Sequence, residues 1–150
     1  MELVHEMAYQ AMLGTPMRIG AGPTGSRVLV DVVGGLVEGP RIRGTLKGAG
    51  GDWALVASDG FSRLDVRIQI ETDDGAFVYV QYHGLLELNA TVKAAMKESG
   101  GTEYADQYFR TAPRFETGDE RYAWLNQSVF VGEGRLIPES GVEYRVYRLT

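Results

Sequence analysis

Cysteine is absent from this chain of 150 residues, so it can form neither a disulfide nor a zinc–thiolate site and has no thiol nucleophile. No apolar run approaches the roughly 20 residues that a membrane-spanning helix requires. No basic segment followed by an apolar one marks a secretory signal. These absences predict a cytoplasmic protein without a membrane partner.

Clustered basic residues are also lacking. The net charge is -5 and the Lys and Arg side chains are dispersed, so nucleic acid is not expected as a partner. His5 and His83 lie far apart and form no metal-binding motif, and we expect neither a metal nor a cofactor. There is no phosphate-binding loop and no GxSxG turn of a serine hydrolase.

Glycine, by contrast, is abundant at 20 residues, and Val, Ile, Tyr and Phe are frequent. This composition favours an all-β fold with tight turns, and the length suits one domain over residues 1–150. Alternating runs predict about nine sequential antiparallel strands, which is typical of a sandwich or a closed barrel. The strands are expected at Leu3–Leu13, Arg27–Val33, Leu36–Leu46, Asp52–Ala57, Phe61–Glu71, Ala76–Gly84, Tyr104–Thr111, Arg121–Val131 and Val142–Leu149.

Short glycine-containing pairs mark the expected turns. Asp59-Gly60 and Asp74-Gly75 separate alternating runs and predict hairpins, and Gly34-Gly35 predicts another. The segment Asn89–Glu98 differs from the rest, because it contains helix formers and begins with a residue suited to capping. Gly100-Gly101 follows it, so one short helix is predicted there.

The segment Tyr108–Asn126 combines five aromatic residues, three arginines and several acids. Its second half is predicted to enter a strand, in which Tyr122, Trp124 and Asn126 share one face. Such a face suits the wall of a ligand cavity, where large rings accompany a few oriented polar groups. Alternatively, the rings pack in the core with their polar tips hydrogen-bonded.

A second alternating strand carries Asp65 and Arg67 on the face opposite its apolar residues. The pattern alone favours a half-exposed strand whose polar row faces water. In a closed barrel around a pocket the arrangement can invert, so that Asp65 and Arg67 face the lumen while the apolar row packs outward.

The following strand places Tyr79 and His83 on one face. His83 could act as a general base, because the pKa of histidine lies near neutrality, but a hydrogen-bonded structural role is the commoner one. Arg67 and Arg110 could bind an anionic or carbonyl oxygen. The chain's candidate acid–base groups are Asp52, Asp65, Glu116, Asp119, Tyr79, Tyr122 and His83. This set suits proton transfer better than redox chemistry, and it equally suits binding without chemistry.

Several motifs follow one another in a fixed order along most of the chain. They are Gly34–Gly44, Gly50–Trp53, Leu64–Arg67, Thr72–Ala76, Tyr108–Thr111, Pro113, Phe115–Gly118 and Tyr122–Asn126. Together they resemble the domain-of-unknown-function family numbered 3237, nearly from end to end. The segment Asn89–Gly101 is the least family-like.

The resemblance implies a lipocalin-like β-barrel that self-associates, with motif residues lining a central cavity. It brings no specific activity with it. Because Asp65 and Arg67 fall within a family motif, the resemblance favours the lumen for both. It likewise favours the cavity position for Tyr122, Trp124 and Asn126.

We therefore expect a closed antiparallel barrel of eight or nine strands with one short helix. It would be a cofactor-independent isomerase, cyclase or lyase for a small aromatic or enolisable carbonyl compound. Arg67, helped by Asn126 or Tyr79, would stabilise an oxyanion, and Asp65 or His83 would move the proton. Trp53 and Trp124 would stack on the substrate, with Arg110 and Tyr122 as further binding residues.

The sequence leaves two alternatives open. The barrel could bind or carry a small hydrophobic metabolite without altering it. It could also be an oligomer-forming module whose interior is filled by side chains, since barrels of about eight strands can be packed solid. Whether Asn89–Gly101 closes over a pocket is left undecided.

Overall fold

Ten β-strands and two short α-helices make up the computed structural model, which describes residues 1–150. The helices are α1 (Ala90–Glu98) and α2 (Ala123–Asn126). Neither has the length or the apolar character of a helix that spans a bilayer. The strands are β1 (Leu3–Leu13), β2 (Met17–Gly22), β3 (Gly25–Glu38), β4 (Arg43–Leu46), β5 (Gly51–Val56), β6 (Phe61–Thr72), β7 (Phe77–Glu87), β8 (Phe109–Glu116), β9 (Phe130–Ile137) and β10 (Gly141–Leu149).

Eight strands form a closed antiparallel barrel, which confirms the predicted fold class. Neighbours follow the order β1-β10-β9-β8-β7-β6-β4-β3, and pairing of β1 with β3 closes the ring. Two strands are additional: β5 lies between β3 and β6 beside β4, and β2 pairs with β3 alone. Closure gives every barrel strand a neighbour on both sides, and the shortest of these pairings joins β8 to β9 at Arg110 and Thr111 alone.

Side chains alternate between the barrel interior and the outer surface along each strand. In β6 the apolar residues Leu64, Val66 and Ile68 are buried inside. Asp65 and Arg67 lie between them in the sequence and therefore point outward. The expectation that these two side chains face the lumen is wrong, and the reason is energetic: the barrel buries its apolar row, as the pattern alone favoured.

The hairpin predicted at Gly34-Gly35 does not form, because β3 continues through both glycines. Gly35 pairs with Ala11 of β1 and has a φ of +152°. A Cβ on Gly35 would collide with the backbone carbonyl of Gln10. The register of β3 against β1 shifts here. The glycines therefore serve a bulge and a close approach of two strands rather than a chain reversal.

Helix α1 forms where it is predicted. The Asn89 side chain caps it by accepting a hydrogen bond of 2.9 Å from the Val92 amide. At the other end Ser99 adopts the left-handed conformation with φ of 52°, and the Gly100 amide donates to the Ala95 carbonyl at 2.8 Å. The terminating residue is thus Ser99, one position before the glycine pair.

The aromatic segment is not a strand beyond Glu116. Residues 120–122 form a single 3-10 turn that leads directly into α2, and strand structure resumes only at Phe130. Side-chain bonds to the backbone explain this, because they compete with strand pairing. The backbone amide of Thr117 donates to the side-chain oxygen of Asn126 at 2.9 Å. The side-chain nitrogen of Asn126 donates in return to the backbone carbonyl of Thr117 at 2.9 Å. Asp119 accepts from the Arg121 amide at 3.0 Å.

The two ends of the barrel interior differ in how completely they are filled. At the end nearest α2, Phe115 and Phe130 pack edge to face with ring centroids 4.9 Å apart. A layer of aromatic rings follows, in which Tyr144 contacts Tyr9, Tyr82 and Phe109 with centroids 4.9, 5.5 and 5.2 Å away. Beyond this layer, toward α1 and β2, smaller side chains leave space.

Candidate functional site

A cavity of about 570 Å³ occupies the open end of the barrel. This volume lies within the range of about 300–1,000 Å³ typical of small-molecule sites. Tyr82, Tyr144 and Phe109 line it on the side of the aromatic layer. Most of the wall is apolar, since 19 of its 28 lining residues are hydrophobic. Val28, Val30, Ala54, Leu64 and Val66 are typical of this wall.

Helix α1 forms part of the wall at the open end. Ala95 is buried against the cavity, whereas Met96 lines it and is half exposed. The left-handed residue Ser99 and the following Gly100 also line the cavity. The segment Asn89–Gly101, whose role the sequence left undecided, therefore contributes wall residues beside the opening.

Only two charged residues line the cavity, Asp52 and Arg18. Asp52 lies on β5, where it alternates with Ala54 toward the lumen. One of its carboxylate oxygens accepts a hydrogen bond of 3.0 Å from the backbone amide of Asp65. The other oxygen makes no hydrogen bond within the protein.

The surroundings of Asp52 perturb its ionisation. Burial raises the pKa of its carboxyl to about 6, against the lowering effect of the Asp65 amide, and the negative charge of Asp65 adds to the rise. Burial has this effect because an apolar environment disfavours the charged form. At neutral pH the carboxyl group is mainly ionised, yet it takes up a proton more readily than an exposed aspartate does.

Three tyrosines meet beneath Asp52. Burial raises the pKa of Tyr9, Tyr82 and Tyr144 well above that of an exposed phenol. The neighbouring tyrosines contribute to all three shifts, and the charge of Asp52 raises the pKa of Tyr82 and Tyr144. These phenols are therefore neutral hydrogen-bond donors at physiological pH. The Tyr9 hydroxyl is fully buried and has no hydrogen-bond partner.

Asp65, Arg67 and Trp53 share the outer surface rather than the cavity. Arg67 lies 3.5 Å from the Asp65 carboxylate, and its guanidinium lies 5.8 Å from the centre of the Trp53 ring. The structure brings these predicted residues together on the outer surface of the barrel, not in the cavity where they were expected. Asp65 reaches the site only through its backbone amide, which holds Asp52.

Tyr79, His83 and Arg110 also point outward. On β7 the interior positions are taken by Val78, Val80 and Tyr82, so the residues between them face away from the lumen. Arg110 of β8 is exposed and donates to the Phe109 carbonyl at 3.0 Å. None of these three lines the cavity.

Tyr122, Trp124 and Asn126 brace the closed end of the barrel instead of lining the cavity. The Tyr122 hydroxyl donates to the Asp74 carboxylate at 2.8 Å. The Trp124 ring lies 3.6 Å from the Arg41 guanidinium. This position fits the core interpretation of the aromatic rings and contradicts the expected cavity face.

Sequence reasoning overlooked most of the cavity's polar residues. Asp52 is one of the acid–base candidates that the sequence offers, but the sequence does not distinguish it from the others. Tyr82 alternates with Val78 and Val80 in β7. Because these two valines are typical core residues, the alternation places the Tyr82 phenol inside the barrel as well. Tyr144 gives the same signal, because it alternates with the buried Val142 and Val146 in β10, whereas Arg18 gives none. No group of three or more His, Asp or Glu side chains is close enough together to hold a metal ion.

Fold and site together define a class of closed antiparallel β-barrels with a ligand-sized cavity at one end. The chain belongs to the family described as protein of unknown function (DUF3237), which it matches over residues 1–149. This confirms the family resemblance seen in the sequence.

Similar proteins include the UPF0311 protein RPA1785 of Rhodopseudomonas palustris. It is 33% identical over 132 residues, which cover 88% of this chain and 86% of that protein. A crystal structure of RPA1785 has a TM-score of 0.88 at 32% identity and covers 99% of this chain and 97% of that one. RPA1785 is itself described there as a conserved protein of unknown function.

Two further structures share the fold. A beta-barrel like protein from Acinetobacter baumannii AYE has a TM-score of 0.83 at 28% identity, covering 99% of this chain and 96% of that one. A protein from Penicillium herquei, described only as an enzyme, has a TM-score of 0.71 at 21% identity, covering 99% of this chain and 94% of that one. At this lower identity the likeness concerns the fold alone.

Proposed function

We propose that this protein is a cofactor-independent acid–base catalyst of the isomerase, cyclase or lyase type. Its substrate is a small aromatic or enolisable carbonyl compound held in the barrel cavity. Asp52 transfers the proton, and Tyr82 and Tyr144 donate hydrogen bonds to the substrate oxygen on which negative charge develops. The observation that carries the proposal is a single carboxyl group in a largely apolar cavity lined also by neutral phenols.

The carboxyl group of Asp52 suits this role in geometry and in basicity. Its one bonded oxygen is held by the Asp65 amide at 3.0 Å, which fixes the orientation of the group. The second oxygen has no partner within the protein, so it is available to a bound molecule. A raised pKa brings the carboxylate closer to the operating pH, where a general base is most effective.

Proton transfer in this site needs no further reactant. Ionised Asp52 takes a proton from an acidic C–H or O–H bond, and the electrons of that bond move toward the carbonyl or phenolic oxygen. Hydrogen bonds from Tyr82 or Tyr144 stabilise the resulting oxyanion, because preorganised donors in an apolar site act strongly. Return of the proton to a different atom completes an isomerisation or a ring closure. Loss of a leaving group completes an elimination.

The proposal moves the chemistry from Asp65, Arg67, His83 and Tyr79 to residues inside the barrel. The reaction class expected from the sequence stays the same, while the residues assigned to it change. The Penicillium herquei protein supports catalysis at the level of the fold, since it is described as an enzyme and shares this barrel.

Deuterium exchange into 2-tetralone, a bicyclic ketone with acidic α-hydrogens, tests the proposed reaction class. In D₂O the protein should accelerate exchange, because Asp52 removes the α-proton. Asp52→Asn should lower the protein-dependent rate by at least about a hundredfold. Asp31→Asn is the matched control, because Asp31 is an exposed carboxylate on the outer face of neighbouring β3. Mass spectrometry of the ketone provides the measurement.

A carrier of small hydrophobic molecules is the second candidate function, and the largely apolar lining favours it. A carrier would bind 2-tetralone without accelerating exchange, and ligands incubated with it would be recovered unchanged. Binding without exchange, with equal behaviour of the wild type and Asp52→Asn, would establish the carrier and reject the catalyst.

We further propose that the protein self-associates through β2. This strand pairs with β3 on one side only, so its other edge presents free backbone donors and acceptors. Met17 and Ile19 are each 61% exposed, and the strand contains neither Lys nor Pro, residues that commonly protect an edge. A second copy could add its own β2 to this edge as an antiparallel neighbour.

A further inference from the structure

Arg18 is the only basic residue that lines the cavity. It lies on β2 directly opposite Val28 of β3, and Val28 in turn lies opposite Ala54 of β5. Asp52 lies two residues away from Ala54 on β5, opposite Val30. Strand spacings of about 4.8 Å and rises of about 3.3 Å per residue therefore place the Cα atoms of Arg18 and Asp52 about 12 Å apart.

The guanidinium of Arg18 has no partner within the protein. It takes part in none of the ion pairs or side-chain hydrogen bonds of the structure, whereas 10 of the 12 arginines make at least one such contact. Arg114 is the second exception, and it lies on the outer face of β8 away from the cavity. Arg18 is thus an available cation at the edge of an apolar site.

The arrangement of charges favours an anionic ligand in one orientation. An anion deep in the cavity would be repelled by ionised Asp52, and the apolar wall would weaken screening of that repulsion. An anion beside Arg18 meets an unpaired donor able to bind two oxygens at once, while its charge remains hydrated at the opening. The remainder of the ligand then extends toward Asp52.

We propose that Arg18 forms an anion-binding subsite at the opening of the cavity, and that the substrate is an apolar molecule bearing one carboxylate or similar oxyanion. This inference rests on the proposed function, because the uncharged end of the same molecule reaches Asp52. The subsite fixes the orientation of the bound substrate. Its anionic group stays beside Arg18 at the opening, and its carbonyl or phenolic end lies deeper in the cavity.

Two fluorescent dyes test the subsite without knowledge of the substrate. The anionic probe is 8-anilinonaphthalene-1-sulfonate, and the neutral probe is N-phenyl-1-naphthylamine, which has the same rings without the sulfonate. Arg18→Gln should weaken binding of the anionic dye about threefold to fivefold, as expected for a solvent-exposed ion pair, and leave the neutral dye unchanged. Arg18→Lys should recover part of the loss, since it keeps the charge but not the paired donors.

Arg114→Gln is the matched control, because it removes the same charge from another unpaired arginine far from the cavity. It should change the affinity of neither dye. Equal affinities for the anionic dye in Arg18→Gln and Arg114→Gln would overturn the subsite. So would a loss that affects both dyes alike, because this would indicate a general change in the wall.

The outcome separates the subsite from the proposed catalysis. If Arg18→Gln leaves the anionic dye unaffected while Asp52→Asn abolishes exchange into 2-tetralone, the subsite fails and the catalyst stands. If Arg18→Gln has its selective effect and exchange is absent in the wild type, the cavity binds anions but the catalytic proposal fails.

Discussion

The barrel orients the carboxyl group of Asp52 with a hydrogen bond, yet it disfavours the negative charge of that group. The Asp65 amide bonds one oxygen, but burial outweighs this bond and raises the pKa of the carboxyl to about 6. Its pKa in the unfolded chain is about 3.9. Between these two values the folded protein binds more protons than the unfolded chain. Stability therefore rises as pH falls from above 6 toward 4, the reverse of a salt-bridged aspartate.

Replacing Asp52 by Asn should stabilise the fold at neutral and alkaline pH. Asn keeps an oxygen that can accept the Asp65 amide, but it carries no charge. Allowing for partial exposure, we expect a gain of about 1–2 kcal/mol at pH 8, or roughly 3–6 °C in Tm. At pH 4 the difference should nearly vanish, because the carboxyl group is then protonated in the native state. Thermal unfolding followed by circular dichroism at both pH values provides the measurement.

A lower Tm for Asp52→Asn at pH 8 would show that the carboxylate stabilises the barrel. Such a result would contradict the raised pKa. A gain in stability together with a loss of activity is the behaviour expected of a residue kept for function rather than for folding.

Among the secondary-structure elements, the segment from β8 to α2 illustrates how local bonds override a strand pattern. Phe115 and Phe130 come from β8 and β9, and Trp124 packs near Phe130 with ring centroids 6.1 Å apart. α2 covers the part of β8 that β9 does not pair with. The paired bonds between Asn126 and Thr117 hold this arrangement.

Asn126→Ala should therefore destabilise the protein without weakening ligand binding. Two hydrogen bonds to the Thr117 backbone are lost, which we expect to cost about 1–2 kcal/mol, or roughly 3–6 °C in Tm. Binding of N-phenyl-1-naphthylamine should not change, since Asn126 does not line the cavity. The neighbouring exposed Gln127, changed to Ala, serves as the control. Weaker dye binding at unchanged Tm would instead restore Asn126 as a ligand-binding residue.

The sequence predicted most strands and α1 because their signals are local. Alternating residues in β6 and β7, and the Asn cap of α1, depend on neighbours along the chain. Two predictions were wrong, and the first has a non-local cause. Gly34-Gly35 resembles a hairpin, but the close approach of β1 makes it a bulge. For Asp65 the family resemblance favours the lumen and the alternation of β6 favours the outer surface, and the structure follows the alternation.

The candidate site was harder to predict than the fold. Cavity residues come from every strand except β4 and from α1, and closure of the barrel alone brings them together. Asp52 and Tyr144 lie far apart in sequence and share no motif. Trp124 belongs to the most recognisable family motif, yet it packs against Arg41 at the closed end. A residue of a family motif in this chain can therefore have a packing role and need not line the cavity.

The complete barrel has one prominent unpaired strand edge, that of β2, beside the cavity opening. Ile19→Lys places a charge on this edge and should shift the protein toward a monomer, because two copies of the charged edge repel each other. Light scattering coupled to size-exclusion chromatography measures the mass directly. Val129→Lys is the control, since Val129 is 65% exposed and lies elsewhere. A wild-type protein that is already monomeric, or an Ile19→Lys variant that keeps its mass, would refute pairing through β2.

The central claim is that Asp52 moves a proton inside the cavity, and the pH dependence of exchange into 2-tetralone tests it most directly. For the wild type we predict that the protein-dependent rate falls as pH drops below about 6, since the carboxyl group must be ionised to accept the proton. Asp52→Asn should show almost no protein-dependent exchange at any pH, and Asp31→Asn should reproduce the wild-type profile. An unchanged rate and pH profile in Asp52→Asn would contradict the account.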